Sequence, residues 1–424
     1  MSAEPFANAP APASSTWAIL VARPALVVIM GTVAGHMMMM GMVAPVLSLY
    51  AKSFGVAEWA VGLIITAFGV GRLLVDLPAG LMADRYGRRL FVWLGPAVVG
   101  VASLGAAMAT DFWLLVFFRF VQGLGSGMYM TVATVVCADL AAPGQRARIM
   151  ALYQTALLVG AGLGPAVGGV MADHFGYQSP FWLSMAIGMG AAIYAFLSFE
   201  ETKRPSAPGI HHDHSFRAFA PLLRNPTIVV ALLINLGAFM TRSAGLWQML
   251  PLSANERFGF DAGSIGLGMT VMTLANLAVL PFTGRLVDRF GTVRCVVAAT
   301  LVTVAALVVA GTGLQPWTFW AAMATLGAAT GLQGPAIATY SVDHAPGGRF
   351  GPAMGLLRFA GDVGFVLGPL ALGAAVDLSG IGYSGAILLN AAILALFGVL
   401  FMIWGRRAPA DPEAVPKEGP SPDP

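Results

Sequence analysis

The sequence predicts an all-α membrane protein: twelve transmembrane helices in two pseudo-symmetric six-helix bundles. Three observations predict it. Only 10% of the 424 residues are charged, against about 25% in soluble domains. With 57% hydrophobic residues besides, a soluble globule would lack polar groups to cover its surface. That excludes a soluble enzyme, a disordered chain and a nucleic-acid binder. Next, twelve mostly apolar stretches each reach the length of about 20 residues that a helix needs to cross hydrocarbon. Finally, acids, bases and prolines recur at a constant offset of 204 positions, so the chain contains two related halves.

The spans read as 25–50, 59–81, 91–110, 112–137, 150–172, 180–199, 226–251, 262–283, 295–314, 316–341, 352–377 and 383–405. They are too long for tilted barrel strands and do not alternate. Residues 1–24, with Ala and Pro repeated from Ala3 to Ala13, read as a disordered tail. It has no basic start, and the apolar run after it is far too long for a cleaved signal peptide. The polar, Pro-rich residues 406–424 also read as disordered. The central loop, 200–225, divides a six-helix unit at 25–199 from another at 226–405.

Charge placement orients the chain. With both termini cytoplasmic, 17 of the 23 Lys and Arg fall on the cytoplasmic side, and Lys52 and Arg257 alone on the other. This is the positive-inside bias. The net charge of +3 is then a topology signal and implies no anionic partner. Cys137 and Cys295 cannot support a disulfide framework, and both sit near the side where free thiols are expected.

Taken in order, span one carries His36 and the run Met37-Met38-Met39-Met40-Gly41-Met42. Flexible thioethers suit a cavity that adapts to varied apolar ligands, and with His36 they suit a soft ion such as Cu(I); lipid-facing filler is the third reading. Span two carries Arg72 and Asp76 at i, i+4, and span eleven carries Arg358 and Asp362 at the same spacing. At about 1.5 Å per residue, Asp76 and Arg358 lie roughly 10 Å inside, and Arg72 and Asp362 roughly 15 Å inside. The two helices run in opposite directions, so Asp76 is level with Arg358, and Arg72 with Asp362. The expectation is a four-charge network between them, with a permanent structural network as its alternative. Arg119 in span four is costly in a membrane and points to function. Arg242 in span seven, near Asn235, Trp247 and Gln248, is a candidate for binding an anionic group in a cavity. Tyr129, Gln333 and Tyr340 are further candidate cavity groups. In the central loop, His211, His212 and His214 with Asp213 read as solvated rather than as a metal site.

The repeat is checked by subtraction. Gly80, Asp84, Arg85 and Gly87 match Gly284, Asp288, Arg289 and Gly291. Gly160, Gly164, Pro165 and Gly169 match Gly364, Gly368, Pro369 and Gly373. Asp139 and Asp173 match Asp343 and Asp377. Repeated halves of this kind point to a secondary transporter with its site between them.

At these residues the chain resembles the major facilitator superfamily, over all twelve spans, and is most similar to its drug:proton antiporters. The segment Gly80-Leu-Met-Ala-Asp84-Arg85-Tyr-Gly87-Arg88-Arg89 resembles the family's signature between helices two and three. The copy at Gly284 has Thr292 where Arg88 would stand. The resemblance implies a cytoplasmic gate, with Asp84 meeting the N-terminal end of span eleven or a neighbouring arginine. Arg119-Phe-Val-Gln122-Gly123-Leu-Gly125 is similar to the motif whose arginine is associated with proton coupling. Gly160-x-x-x-Gly164-Pro165-x-x-Gly168-Gly169 resembles the antiporter motif, except that Ala151 stands where the family pattern has glycine. Physically, these glycines let helices pack backbone to backbone, and Pro165 bends its helix.

The resemblance implies a proton-coupled exporter of a small amphipathic molecule, working as a monomer in a bacterial inner membrane by alternating access. An importer of a metabolite or copper on the same fold, and a non-transporting sensor or assembly factor, are the alternatives. No enzyme motif appears: there is no zinc-binding His-Glu-x-x-His, nucleophile elbow or phosphate loop. No cofactor, resident metal or nucleic-acid partner is expected.

Overall fold

The computed structural model describes residues 23–141, 145–202, 220–345 and 350–405. The N-terminal tail up to residue 22, the tail from Arg406 and the group His211, His212, Asp213 and His214 lie outside the described residues. Among the described residues, twelve long helices follow one another: α1 (Pro24–Lys52), α2 (Glu58–Tyr86), α3 (Arg88–Ala107), α4 (Phe112–Asp139), α5 (Arg146–Phe175), α6 (Ser179–Ser198), α7 (Pro226–Phe258), α8 (Ala262–Phe290), α9 (Thr292–Thr312), α10 (Trp317–Asp343), α11 (Phe350–Ser379) and α12 (Gly382–Trp404). A single helical turn, Ala220–Arg224, precedes α7. Each expected span corresponds to one helix. Among the described residues, eleven of the twelve are long and apolar enough to cross a membrane by composition. The exception, α10, is thinned by Thr, Gly and Gln, and it packs between α8 and α9.

Helix ends run past expectation at Phe258 of α7 and on the face where Pro24 and Trp404 lie, here termed the terminal face. There α2 and α8 continue past the apolar stretch to Tyr86 and Phe290. The segment from Gly80 to Arg89, expected as a loop, is therefore two helix ends joined by Gly87 alone. Its φ of 94° is one that side-chain-bearing residues rarely adopt. Gly291, at φ 83°, repeats the device between α8 and α9. Hydropathy cannot register a helix that runs on through Asp84 and Arg85 into the headgroup region.

On the opposite face, short polar caps start the helices. Asp111 accepts from the Leu114 N–H at 3.0 Å, and Asp261 from the Ser264 N–H at 2.8 Å. In the middle of α7, Thr241–Met249 forms π turns. Such turns inside α-helices occur frequently at functional sites.

Packing repeats between the halves. In the first, α1 lies on α5, α2 on α4, and α3 on α4 and α6; in the second, α7 lies on α11, α8 on α10, and α9 on α10 and α12. The halves meet along two seams, α2 with α11 and α5 with α8, which the repeat interchanges. The buried core follows the same plan. One apolar cluster joins both halves near the opposite face, running through Leu47, Ile64, Phe181, Met249, Ile265 and Leu394. Toward the terminal face each half has its own cluster, around Phe91 and Val136 in the first and around Val296 and Phe401 in the second. The halves are fused at one face and separate toward the other.

Candidate functional site

Glycines bring the seam helices into backbone contact. In α5, a Cβ at Gly160, Gly164 or Gly168 would collide with backbone of α1 between Ala34 and Met42. These three positions, four apart, form a groove that seats the methionine run. Gly169 instead faces the Ala262 carbonyl of α8, and Gly266 of α8 faces the carbonyl of Pro165. The second half reproduces this. Gly364 faces Leu236 of α7, Gly373 faces Glu58 of α2, and Gly62 of α2 faces the Pro369 carbonyl. Close packing of small residues of this kind is how helices associate in lipid.

Each seam ends at the opposite face in a carboxylate that caps a helix of the other half. Asp173 accepts from the N–H groups of Ala262 and Gly263 at 3.0 and 2.8 Å. Asp377 accepts from those of Glu58 and Trp59 at 3.2 and 2.8 Å. Exposed N–H groups and the helix dipole both favour an anion there. Sequence reading found the two aspartates as a matched pair without a role; the signal was present, but only the helix ends they face give it meaning. The α2–α11 seam is reinforced around Glu58, whose carboxylate pairs with Lys52 and accepts from the Tyr383 hydroxyl at 2.7 Å. The Gln248 amide donates to the Glu58 carbonyl at 3.1 Å, and the Ser48 hydroxyl donates to the Trp247 carbonyl at 2.6 Å.

Deeper in the same seam, Arg358 Nη2 lies 2.9 Å from Asp76 Oδ2, an ion pair between the halves. Arg72 Nε lies 3.6 Å from the same oxygen, and the Thr131 hydroxyl donates to Asp76 Oδ1 at 3.2 Å. Asp362 makes no ion pair among the described residues, although it sits in the field of Arg72, Asp76 and Arg358. The expected four-charge network is thus centred on Asp76, and the Arg72–Asp362 pairing is not formed.

At the terminal face Asp84 meets its own neighbour: Arg88 Nη1 is 2.6 Å from Asp84 Oδ1, while Arg88 Nε donates to Asp139 at 3.2 Å. Glu201 accepts from the backbone N–H groups of Arg88 and Arg89 at 2.9 and 3.1 Å and so caps α3. Of the two partners expected for Asp84, the arginine is in contact; residues 346–349, which lead into α11, lie outside the described residues. Apart from Glu201, at the start of the central loop, these groups belong to the first half.

Arg119 is fully buried; it donates to Gln122 at 2.7 Å and lies 4.7 Å from the Phe68 ring centroid. Gln122 in turn donates to Ser103 at 2.8 Å. His36 and Tyr129, expected at the cavity, lie inside the first half instead. The His36 Nε2 is 2.8 Å from the Ser126 hydroxyl, and Tyr129 donates to Thr32 at 2.7 Å. Tyr340 is buried against His344 and Phe401, Trp247 packs edge-on against Phe365, and Met40 lies half-buried on α1. None of these five lines the cavity.

The cavity, about 260 Å³, lies between α5 and the second half. Of the expected groups, Asn235, Arg242 and Gln333 line it, joined by Asn276 and Thr330, which sequence reading missed. The neutral donors are largely committed to protein partners. Asn235 donates to the Leu357 carbonyl at 2.6 Å, Asn276 to Thr330 at 3.1 Å, and Gln333 to Thr300 at 3.1 Å.

The family model of the Major Facilitator Superfamily matches residues 29–252 and again 232–424. The chain belongs to the major facilitator superfamily. It is 26% identical over 385 residues to the multidrug resistance protein MdtG of Escherichia fergusonii, covering 88% of this chain and 92% of that protein. To the quinolone resistance protein NorA of Staphylococcus aureus it is 24% identical over 349 residues, covering 80% and 86%. Among solved structures, a bacterial homologue of the human lysosomal transporter Spinster, in an inward-facing and unoccupied conformation, superposes with a TM-score of 0.74. Identity to it is 16%, over 90% of this chain and 96% of that one. This superfamily member is a secondary active transporter and not an enzyme. The first matched segment runs from α1 into α7 and the second begins within α7, so the two overlap there.

Proposed function

We propose that this transporter exports a small amphipathic molecule across a bacterial inner membrane in exchange for protons, as a single chain, with both termini cytoplasmic. The bias of 17 cations against two supports that orientation. The terminal face is then cytoplasmic, and the apolar cluster joining the halves lies toward the periplasm. Two resistance proteins among the relatives favour export of drug-like compounds.

The observation that carries the reading is the ion pair of Asp76 with Arg358 across the α2–α11 seam. A carboxylate 12% exposed, held by a cation of the other half, changes its hold on that half when it takes up a proton. Protonation removes the charge that attracts Arg358, so proton occupancy and the relative position of the halves become linked. Alternating access then follows as a rocking of the two six-helix units, 25–199 and 226–405, about their seams. Arg119, in contact with Phe68 on α2, fixes the helix that carries Asp76.

Reconstituted protein in liposomes with an imposed pH gradient tests this, with cationic, anionic and zwitterionic fluorescent drugs as cargo. The expected result is drug movement against the proton gradient, lost in Asp76→Asn. Unchanged coupling in both Asp76→Asn and Asp362→Asn overturns it, as does import driven by the gradient.

A further inference from the structure

We propose that the cavity of the second half is a binding site for amphipathic monoanions, with Arg242 holding the anionic head and the apolar wall holding the body. This rests on reading the chain as a substrate transporter and names the substrate class. Arg242 is the one charged side chain among the described residues lining the cavity. Among the described residues it has no hydrogen bond and no ion pair, and its side chain is exposed although it stands midway along α7. Arg119 shows the contrast: equally intramembrane, it is closed off and occupied by Gln122 and Phe68. An arginine left unpaired within a membrane protein is costly unless water or a ligand solvates it. Arg242 faces a space where either can enter.

The surroundings select the sign and the shape of the ligand. Arg242 brings a positive charge to the cavity, and no acid is found among the described residues that line it, so the site is positive and repels an organic cation. The amide donors of Asn235, Asn276 and Gln333 are engaged with protein acceptors. Of the charged donors, the guanidinium alone is uncommitted, and its fork matches a carboxylate or sulfonate. The remaining wall includes Leu158, Phe239, Leu246, Met272, Leu326 and Ile337, which accept an apolar body. The first half offers no second such site: position 38, related to 242 by the repeat, is methionine. The π turns of Thr241–Met249 are likewise confined to the second half, since the related Met37–Pro45 segment is regular α-helix.

The π segment also ties the site to the seam. Its Trp247 carbonyl and Gln248 amide engage Ser48 and Glu58 of the first half, five and six residues beyond the cation that meets the ligand.

The test measures equilibrium binding, without any gradient, so that failure of proton coupling does not affect it. Full-length protein in nanodiscs of phosphatidylcholine alone, which offer no anionic lipid, is titrated calorimetrically with 4-phenylbutyrate, 4-phenylbutanamide and 4-phenylbutylamine. Phenylbutyrate is expected to bind about tenfold or more tightly than the amide, as a charge-assisted bidentate contact implies. Arg242→Gln reduces it to the level of the amide, and Arg242→Lys, which keeps the charge, restores part of the preference. Monodispersity and an unchanged thermal midpoint of Arg242→Gln establish that the variant is folded. Tighter binding of the amine, no binding of phenylbutyrate, or equal phenylbutyrate affinity in Arg242→Gln each overturns the proposal. In each of those cases gradient-driven transport of another compound would leave the exporter reading standing.

Discussion

The two seams between the halves share one backbone design and differ in their side chains. Along both, glycine faces a proline carbonyl and an aspartate caps the partner helix. Yet Arg72, Asp76, Arg358 and Asp362 of the α2–α11 seam correspond, 204 positions away, to Asn276, Leu280, Gln154 and Leu158 around α5 and α8. One seam carries charge; the other is neutral and supplies Leu158 and Asn276 to the cavity. Duplication set the geometry of closure twice, and the side chains of the copies then diverged. In the function proposed above, the charged seam senses protons and the neutral seam forms a wall for cargo.

The shared design is the most sensitive to substitution. Gly62→Val and Gly266→Val each place a branched side chain against a backbone carbonyl, which cannot move aside as a flexible side chain can. Both are expected to abolish transport and to hold the opposite face apart. Spin labels on Ser53→Cys and Glu256→Cys, at the ends of α1 and α7, should report a longer distance in both variants. Lengthening in one variant alone would show that the seams do not close as a pair.

The charge difference comes next in size. Arg358→Gln leaves Asp76 without its partner from the other half, while Gln154→Ala changes the repeat-related position of the neutral seam. Because Arg358 is 52% exposed, solvent screens the pair, and the expected loss of proton-driven exchange is about tenfold rather than the larger loss of a fully buried pair. Gln154→Ala is expected to change the rate by less than about twofold, as surface substitutions usually do. Equal losses in the two variants would falsify the division of tasks.

Much of this asymmetry is legible in the amino-acid sequence. The count of spans follows from hydropathy, because lipid demands long apolar helices. The level match of Asp76 with Arg358 follows from helix rise alone. Other features lie beyond it. The residues Thr241–Met249 carry nothing in sequence that distinguishes π from α turns. His36 and Tyr129 resemble cavity groups because composition cannot tell which side of a helix meets a neighbour within its own half. Arg119 and Arg242 each stand within an apolar span, and only packing separates a closed-off cation from an open one.

The caps come third. Asp173→Ala and Asp377→Ala each remove an acceptor shared by two helix N–H groups, with an expected cost of about 1 kcal/mol, the usual size for losing an N-cap. The effects should be unequal. The α8 end keeps Asp261 when Asp173 is lost, whereas Ala57, the repeat partner of Asp261, gives α2 no side-chain cap. Asp377→Ala should therefore lower the thermal midpoint more, read from unfolding in detergent. Equal shifts would mean that Asp261 contributes nothing to the α8 end.

The smallest effect isolates Asp261 itself. Hydrogen bonds from Ser264, side chain and backbone, hold its carboxyl below the ordinary carboxylate range. A carboxyl whose pKa is lowered by folding stabilises the fold while ionised. That contribution is complete above the unfolded value, about 4, and is lost as pH falls through the lower folded value. Asp261 is largely exposed, so solvent screening keeps the effect below about 1 kcal/mol. The difference in thermal midpoint between wild type and Asp261→Ala should be constant from neutral pH down to about 5 and shrink toward zero below about 4. Ala57→Asp, which would give α2 the same cap, should gain stability with the same pH dependence. A gap for Asp261→Ala that persists at low pH would assign the effect to packing and remove the electrostatic difference between the two helix ends.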